Sequence, residues 1–187
     1  MVLVAVVALL DVTAGACSGG AEPGTPSPAS PAATTTPAAT TAGSSTPVSR
    51  PAELPLAGVM PCDLVTEATR QQFKIDRPDV PDDSDPNAPG CTFVTTTVGQ
   101  YLVSAVRDKG VEALGRPVTT TVGGFPAVEI QRPNIKVGHL SIDVADGQRL
   151  DVEVQRLSSA QPLDEVYRDT MAFAGAVLAT LRQKLGR

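Results

Sequence analysis

Two stretches late in the chain alternate apolar and polar residues with a period of two, Leu140 to Val144 and Leu150 to Val154, and each reads as a half-buried strand. Asp146-Gly147 between them invites a two-residue hairpin loop. Such a loop, kept regular, would set Val144 opposite Arg149 and Ile142 opposite Asp151, mixing apolar and charged residues on one face. A three-residue loop, Asp146-Gly147-Gln148, instead pairs Val144 with Leu150, Ile142 with Val152 and Leu140 with Val154, and the core argues for that register because a one-residue slip turns every side chain to the wrong face.

Further along, Leu163, Val166, Thr170, Phe173, Ala174, Val177, Leu178, Leu181 and Leu185 recur at the three-and-four spacing of one buried helical stripe. Asp164 and Glu165 at the start of this helix and Arg182, Lys184 and Arg187 at its end suit its dipole.

Earlier segments are shorter. Thr66 is placed to cap a short helix from Glu67 to about Phe73. Cys91 to Thr97 and Tyr101 to Arg107 are rich in β-branched and apolar residues and read as strands with a turn near Gly99. Val118 to Val122 and Ala127 to Ile130 read as two more, joined through Gly123-Gly124-Phe125-Pro126, while Val111 to Leu114 has no clear type. The stretch from Asp76 to Gly90 holds five aspartates and four prolines and reads as an exposed acidic loop. Together these predict an α+β domain: a short N-terminal helix, an antiparallel sheet of about five or six strands, and a long C-terminal helix packed on one face.

The first third of the chain has neither periodicity. From Ser18 to about Glu53 it is almost all Ala, Pro, Thr, Ser and Gly, with no large apolar side chain before Val48. Too little apolar surface is present to offset the entropy of ordering, so residues 17–53 are expected to form a disordered, partly polyproline-like tether. About 35 residues of such coil span roughly 30–35 Å. Its Thr and Ser runs beside prolines also fit an O-glycosylated stalk. Residues 54–187 then make one domain of about 135 residues, an ordinary size for a single core.

Charge and composition narrow the function. A formal charge of −5, no tryptophan and 3% aromatic residues disfavour nucleic acid, which needs phosphate-neutralising Lys and Arg and stacking platforms. Candidate chemistry is sparse. Asp82-Asp83-Ser84-Asp85 lacks the alternating ligands, turn glycine and distal Glu of a calcium loop. His139 and Ser141 fall on one face of their strand, but nucleophilic catalysis also needs a group that orients the base. Asp143, Asp151 and Glu153 share the polar face of the hairpin, where alternation alone explains charges turned to water. No catalytic, cofactor-binding or metal-binding residue is assigned, and an enzyme is not expected.

Before the tether, the apolar run Met1 to Leu10 is too short to span a bilayer but suits a signal peptide over residues 1–16. The run lacks basic residues and is interrupted by Asp11, so the natural start is expected upstream of Met1. Ala14-Gly15-Ala16-Cys17 is similar to the lipobox of bacterial lipoproteins, and that resemblance implies cleavage before Cys17 and a diacylglycerol on its sulfur. The same small residues also fit an ordinary secretory cleavage after Ala16, which would release a soluble protein. Three cysteines favour the lipoprotein: Cys62 and Cys91 can pair in an oxidising compartment, leaving Cys17 for acylation. Such a bridge, closing about 29 residues, is worth roughly 3.5 kcal/mol.

Pro61-Cys62-Asp63-Leu64, Cys91-Thr92-Phe93, Val122-Gly123-Gly124-Phe125-Pro126-Ala127-Val128, Asp143-Val144-Ala145-Asp146-Gly147-Gln148 and Leu178-Ala179-Thr180-Leu181 occur in an order that resembles actinobacterial envelope lipoproteins carrying the domain of unknown function 3558. Many members carry a second cysteine pair, whereas this chain has no Cys after Cys91. The resemblance implies a lipid-anchored domain on the extracytoplasmic face of the cell membrane, and no reaction. The expected function is therefore a non-catalytic binding or accessory module that meets another envelope protein through the open sheet face or an edge. The alternative is a carrier of a small apolar or lipidic ligand between sheet and last helix.

Overall fold

The computed structural model describes residues 49–97, 99–132, 135–156 and 161–187. The expected signal peptide, the lipid-attachment residue Cys17 and the tether up to residue 48 lie outside the described residues.

A tight helical turn, Pro61–Leu64, leads to α1, Glu67–Phe73. As expected, Thr66 caps α1: its hydroxyl accepts from the Thr69 N–H at 3.2 Å, satisfying one of the donors that a helix start leaves free. The helix ends at Lys74, which adopts a left-handed conformation with φ of 55°. Seven strands follow: β1 (Val80–Asp82), β2 (Gly90–Val94), β3 (Gly99–Val106), β4 (Thr120–Val122), β5 (Phe125–Arg132), β6 (Val137–Ala145) and β7 (Gln148–Arg156). The long helix α2, Leu163–Lys184, closes the chain. The sheet is antiparallel throughout, in the order β1-β2-β3-β7-β6-β5-β4.

The strand count corrects the expected five or six. The extra strand is β1, inside the segment read as an acidic loop. All three of its residues are exposed, so no apolar alternation marks it, and it is held by its ladder to β2 alone. The acidic residues around it hold turns: Asp82 accepts from the Ser84 N–H and Asp85 from the Asn87 N–H.

The β6–β7 hairpin corrects the expected register. Ile142 pairs with Leu150 and Leu140 with Val152, two residues away from the three-residue-loop pairing, while Ala145 pairs with Gln148 across Asp146-Gly147. Both sequence signals are satisfied at once, because an irregularity between Asp143 and Ala145 inserts Val144 as an extra residue. The tight turn keeps its Gly147 at φ of 65°, and apolar residues still face apolar ones. The carbonyl that the bulge frees, that of Val144, accepts from the Leu54 N–H at 2.8 Å.

One face of the sheet carries Phe93, Tyr101, Val103, Leu140, Ile142, Leu150, Val152 and Val154, all buried against Phe173, Ala174, Val177, Leu178 and Leu181 of α2. Phe73, Phe93, Tyr101 and Phe173 interlock here, with the Phe173 ring 4.6 Å from Tyr101 and 5.1 Å from Phe73. Helix and sheet approach closely at Gly138, where a Cβ would lie 2.1 Å from the Thr170 hydroxyl oxygen. Cys62 and Cys91 form the expected disulfide, tying the first helical turn to β2.

The opposite face is covered at one end and exposed at the other, where Gln100, Arg132 and Gln155 lie. Residues 107–119 join β3 to β4 and must pass β7, β6 and β5 to do so. Arg149, whose side chain points away from α2, donates to the carbonyls of Lys109 and Gly110 in that segment, and Val111 is buried beneath it. The segment before α1 is fastened by similar means. Arg107 donates to the Leu56 and Val59 carbonyls, and Arg50, which the sequence places in the tether, bonds Glu53, Asp143 and Asp146.

Candidate functional site

Two polar clusters emerge from this framework. The first occupies the covered face. As expected, His139, Ser141, Asp143, Asp151 and Glu153 share that face, brought together by pairing of His139 with Glu153 and Ser141 with Asp151 across β6 and β7. They are not turned freely to water: Ser141 is fully buried, and the His139 side chain is 13% exposed. Ser141 donates to an Asp151 oxygen at 2.6 Å, whereas His139 Nε2 stands 3.5 Å from the Ser141 hydroxyl. Burial pushes the Asp151 carboxyl up, but His139, the Ser141 hydroxyl and Arg149 together hold it below the usual carboxylate range. The carboxylate thus holds the serine rather than orienting the histidine, the reverse of the order that an activated nucleophile needs. His139 Nδ1 is buried without a hydrogen-bond partner among the described residues, 3.9 Å from Glu153. This arrangement ties β6 to β7, and its serine is fully buried.

The second cluster lies on the helix face, at the end of the sheet where β3 begins and β7 finishes. Gln72, Phe73 and Lys74 of the α1 terminus, Tyr101 of β3, Arg156 of β7, and Asp169 and Ala172 of α2 enclose a surface cleft of about 370 Å³. Arg156 continues the parity of Leu150, Val152 and Val154, so its side chain enters the protein where a core residue is due, and it is only 5% exposed. Its guanidinium lies 5.6 Å from the Tyr101 ring centroid, a cation–π placement. Nη2 donates to Asp169 and Nη1 to the Tyr101 hydroxyl, leaving Nε buried without an acceptor among the described residues. Burial raises the Tyr101 phenol above its ordinary value, only partly offset by Arg156, so it is a protonated hydroxyl at neutral pH.

The sequence reading missed this cleft. The available signal was Arg156 itself, a charged residue at a core-parity position; the partners come from elements too far apart in the chain to be joined by pattern.

A third grouping, Cys62, Asp79 and Cys91, brings metal-ligand types within 4.8 Å of one another. Both sulfurs are committed to the disulfide and Asp79 to Arg70, so it offers no set of free ligands. Among the described residues no helix is long and apolar enough to cross a membrane.

Comparison with known proteins adds a family and no function. No curated protein and no solved structure matches the chain. The family model described as protein of unknown function (DUF3558) matches residues 12–166, more than four fifths of the sequence and the whole of the sheet, and the chain therefore belongs to the DUF3558 family.

Proposed function

We propose that this protein is a lipid-anchored extracytoplasmic lipoprotein whose domain works as a non-catalytic binding or accessory module of the cell envelope, with Cys17 carrying the lipid and residues 17–48 giving the domain reach. The observation that supports binding is the cleft around Tyr101, Arg156 and Asp169. It combines an aromatic wall, a buried cation and an unused N–H in a concave site, the mixture by which small-molecule sites are recognised. It lies at the far end of β7 from the Asp146-Gly147 turn, where Arg50 fastens the incoming chain, a distance of about 26 Å at the rise of a strand.

The other readings lose support. The aromatic packing of Phe73, Phe93, Tyr101 and Phe173 fills the space between α2 and the sheet that a lipid carrier would need. The sheet face first expected to meet a partner is covered in part by residues 107–119, at its Arg149 end. A hydrolase would need Ser141 accessible, and it is fully buried.

The test is native mass spectrometry of the protein released gently from its host's membranes. Acyl groups on Cys17 and an added mass that leaves on denaturation are the expected result. An unmodified Cys17 overturns the anchor in favour of secretion, and a bare monomer overturns stable binding.

A further inference from the structure

We propose that the cleft takes a small organic carboxylate with an apolar body, bound side-on to Arg156 in exchange for Asp169. This rests on the binding reading of the same cleft and names the ligand class for it.

A guanidinium offers a carboxylate two edges, and the one formed by Nε and Nη2 presents two parallel N–H groups. In Arg156 that edge is half used, because Asp169 takes Nη2 and nothing described takes Nε. A buried N–H left without an acceptor has lost its water and gained nothing in return, so a ligand that supplies both oxygens recovers what Asp169 does not. Asp169 is the more exposed partner of the pair. Its side chain is 38% exposed on the surface of α2, and Gln161 Nε2 lies 3.5 Å from the same oxygen, so the carboxylate keeps a polar neighbour when it turns outward.

Charge and shape agree with an anionic head on an apolar body. The lining carries Lys74 and Arg156 against the single acid Asp169, a net positive charge that the exchange leaves facing the ligand. The Tyr101 oxygen accepts from Arg156, and its own O–H has no acceptor among the described residues, so it remains to donate to a carboxylate oxygen. Phe73, Ala172 and the Tyr101 ring give the body an apolar wall, and about 370 Å³ lies at the small end of ligand sites.

Hydrocinnamate and its uncharged amide, hydrocinnamide, added separately at millimolar concentration to the full chain, make the test, read by NMR at the Arg156 Nε–H and the Phe73 and Tyr101 rings. The acid is expected to move the Arg156 Nε–H resonance downfield in a saturable way, and the amide to leave it in place. Because Arg156→Gln is liable to unfold the domain, Asp169→Asn carries the genetic arm: removing the competing carboxylate is expected to tighten hydrocinnamate about tenfold. Weaker binding in Asp169→Asn overturns the exchange. Equal shifts from acid and amide overturn the carboxylate assignment while the cleft remains a binding site. No shift from either overturns the ligand class, and the binding reading is then judged by the mass that leaves the native protein on denaturation.

Discussion

Asp151 shows how a side chain on the covered face contributes to folding. It accepts from Ser141 and from Arg149, and its folded pKa lies below the value of about 3.9 for an unfolded chain. A carboxyl depressed in the folded state adds stability that is present above that unfolded value and is lost as pH falls through the folded one. Asp151→Asn is therefore expected to cost about 1–3 kcal/mol at neutral pH, measured by urea unfolding, with the deficit shrinking below about pH 4. A deficit of equal size in acid and at neutrality would assign the loss to packing. Asp143 works in the opposite sense, since burial raises it and Arg50 offsets only part of that, so the comparison belongs to the Asp151 variant alone. The sequence placed Asp151 on the correct face by parity and misjudged its exposure, because the cover comes from residues 107–119, whose path is fixed by strand order and not by their own pattern.

Among the elements, those whose signals are local were the most legible. The α1 helix was readable from its cap and α2 from its stripe, and both begin where expected. The β6–β7 hairpin set two sound local rules against each other, and the bulge at Val144 satisfied both, an outcome outside any regular register. Strand β1 was invisible because nothing about Val80, Pro81 and Asp82 distinguishes an exposed edge strand from a loop. At the end of α1, Lys74 occupies a left-handed position that glycine holds without strain, and its N–H bonds to Gln71 and Arg70 carbonyls. Lys74→Gly is expected to raise stability by about 0.5–1 kcal/mol, read as a higher thermal midpoint; a lower one would mean that the lysine side chain holds α1 in place.

At the scale of the molecule, two antiparallel runs, β1 to β3 and β4 to β7, are joined by β7 beside β3, with α2 on one face and the crossing segment on the other. That order could not be read from the chain, since each strand predicts its faces and none predicts its neighbour. The single bridge, Cys62–Cys91, spans 29 residues that include β1 and α1. Its replacement by alanine at both positions is expected to cost about 2–4 kcal/mol, measured by chemical denaturation against the oxidised protein; no change would mean that the reduced chain already holds β1 against β2. The bridge has a further, mechanical consequence. A pull delivered through the residues before 49 first loads the Arg50 ion pairs and the Leu54 hydrogen bond to Val144, and these peel one after another. Peeling can then release only the dozen or so residues up to Cys62, roughly 40 Å of extended chain. Beyond that the load passes through a covalent bond into β2, inside the sheet, so the domain gives way by a fixed length and then resists as a whole.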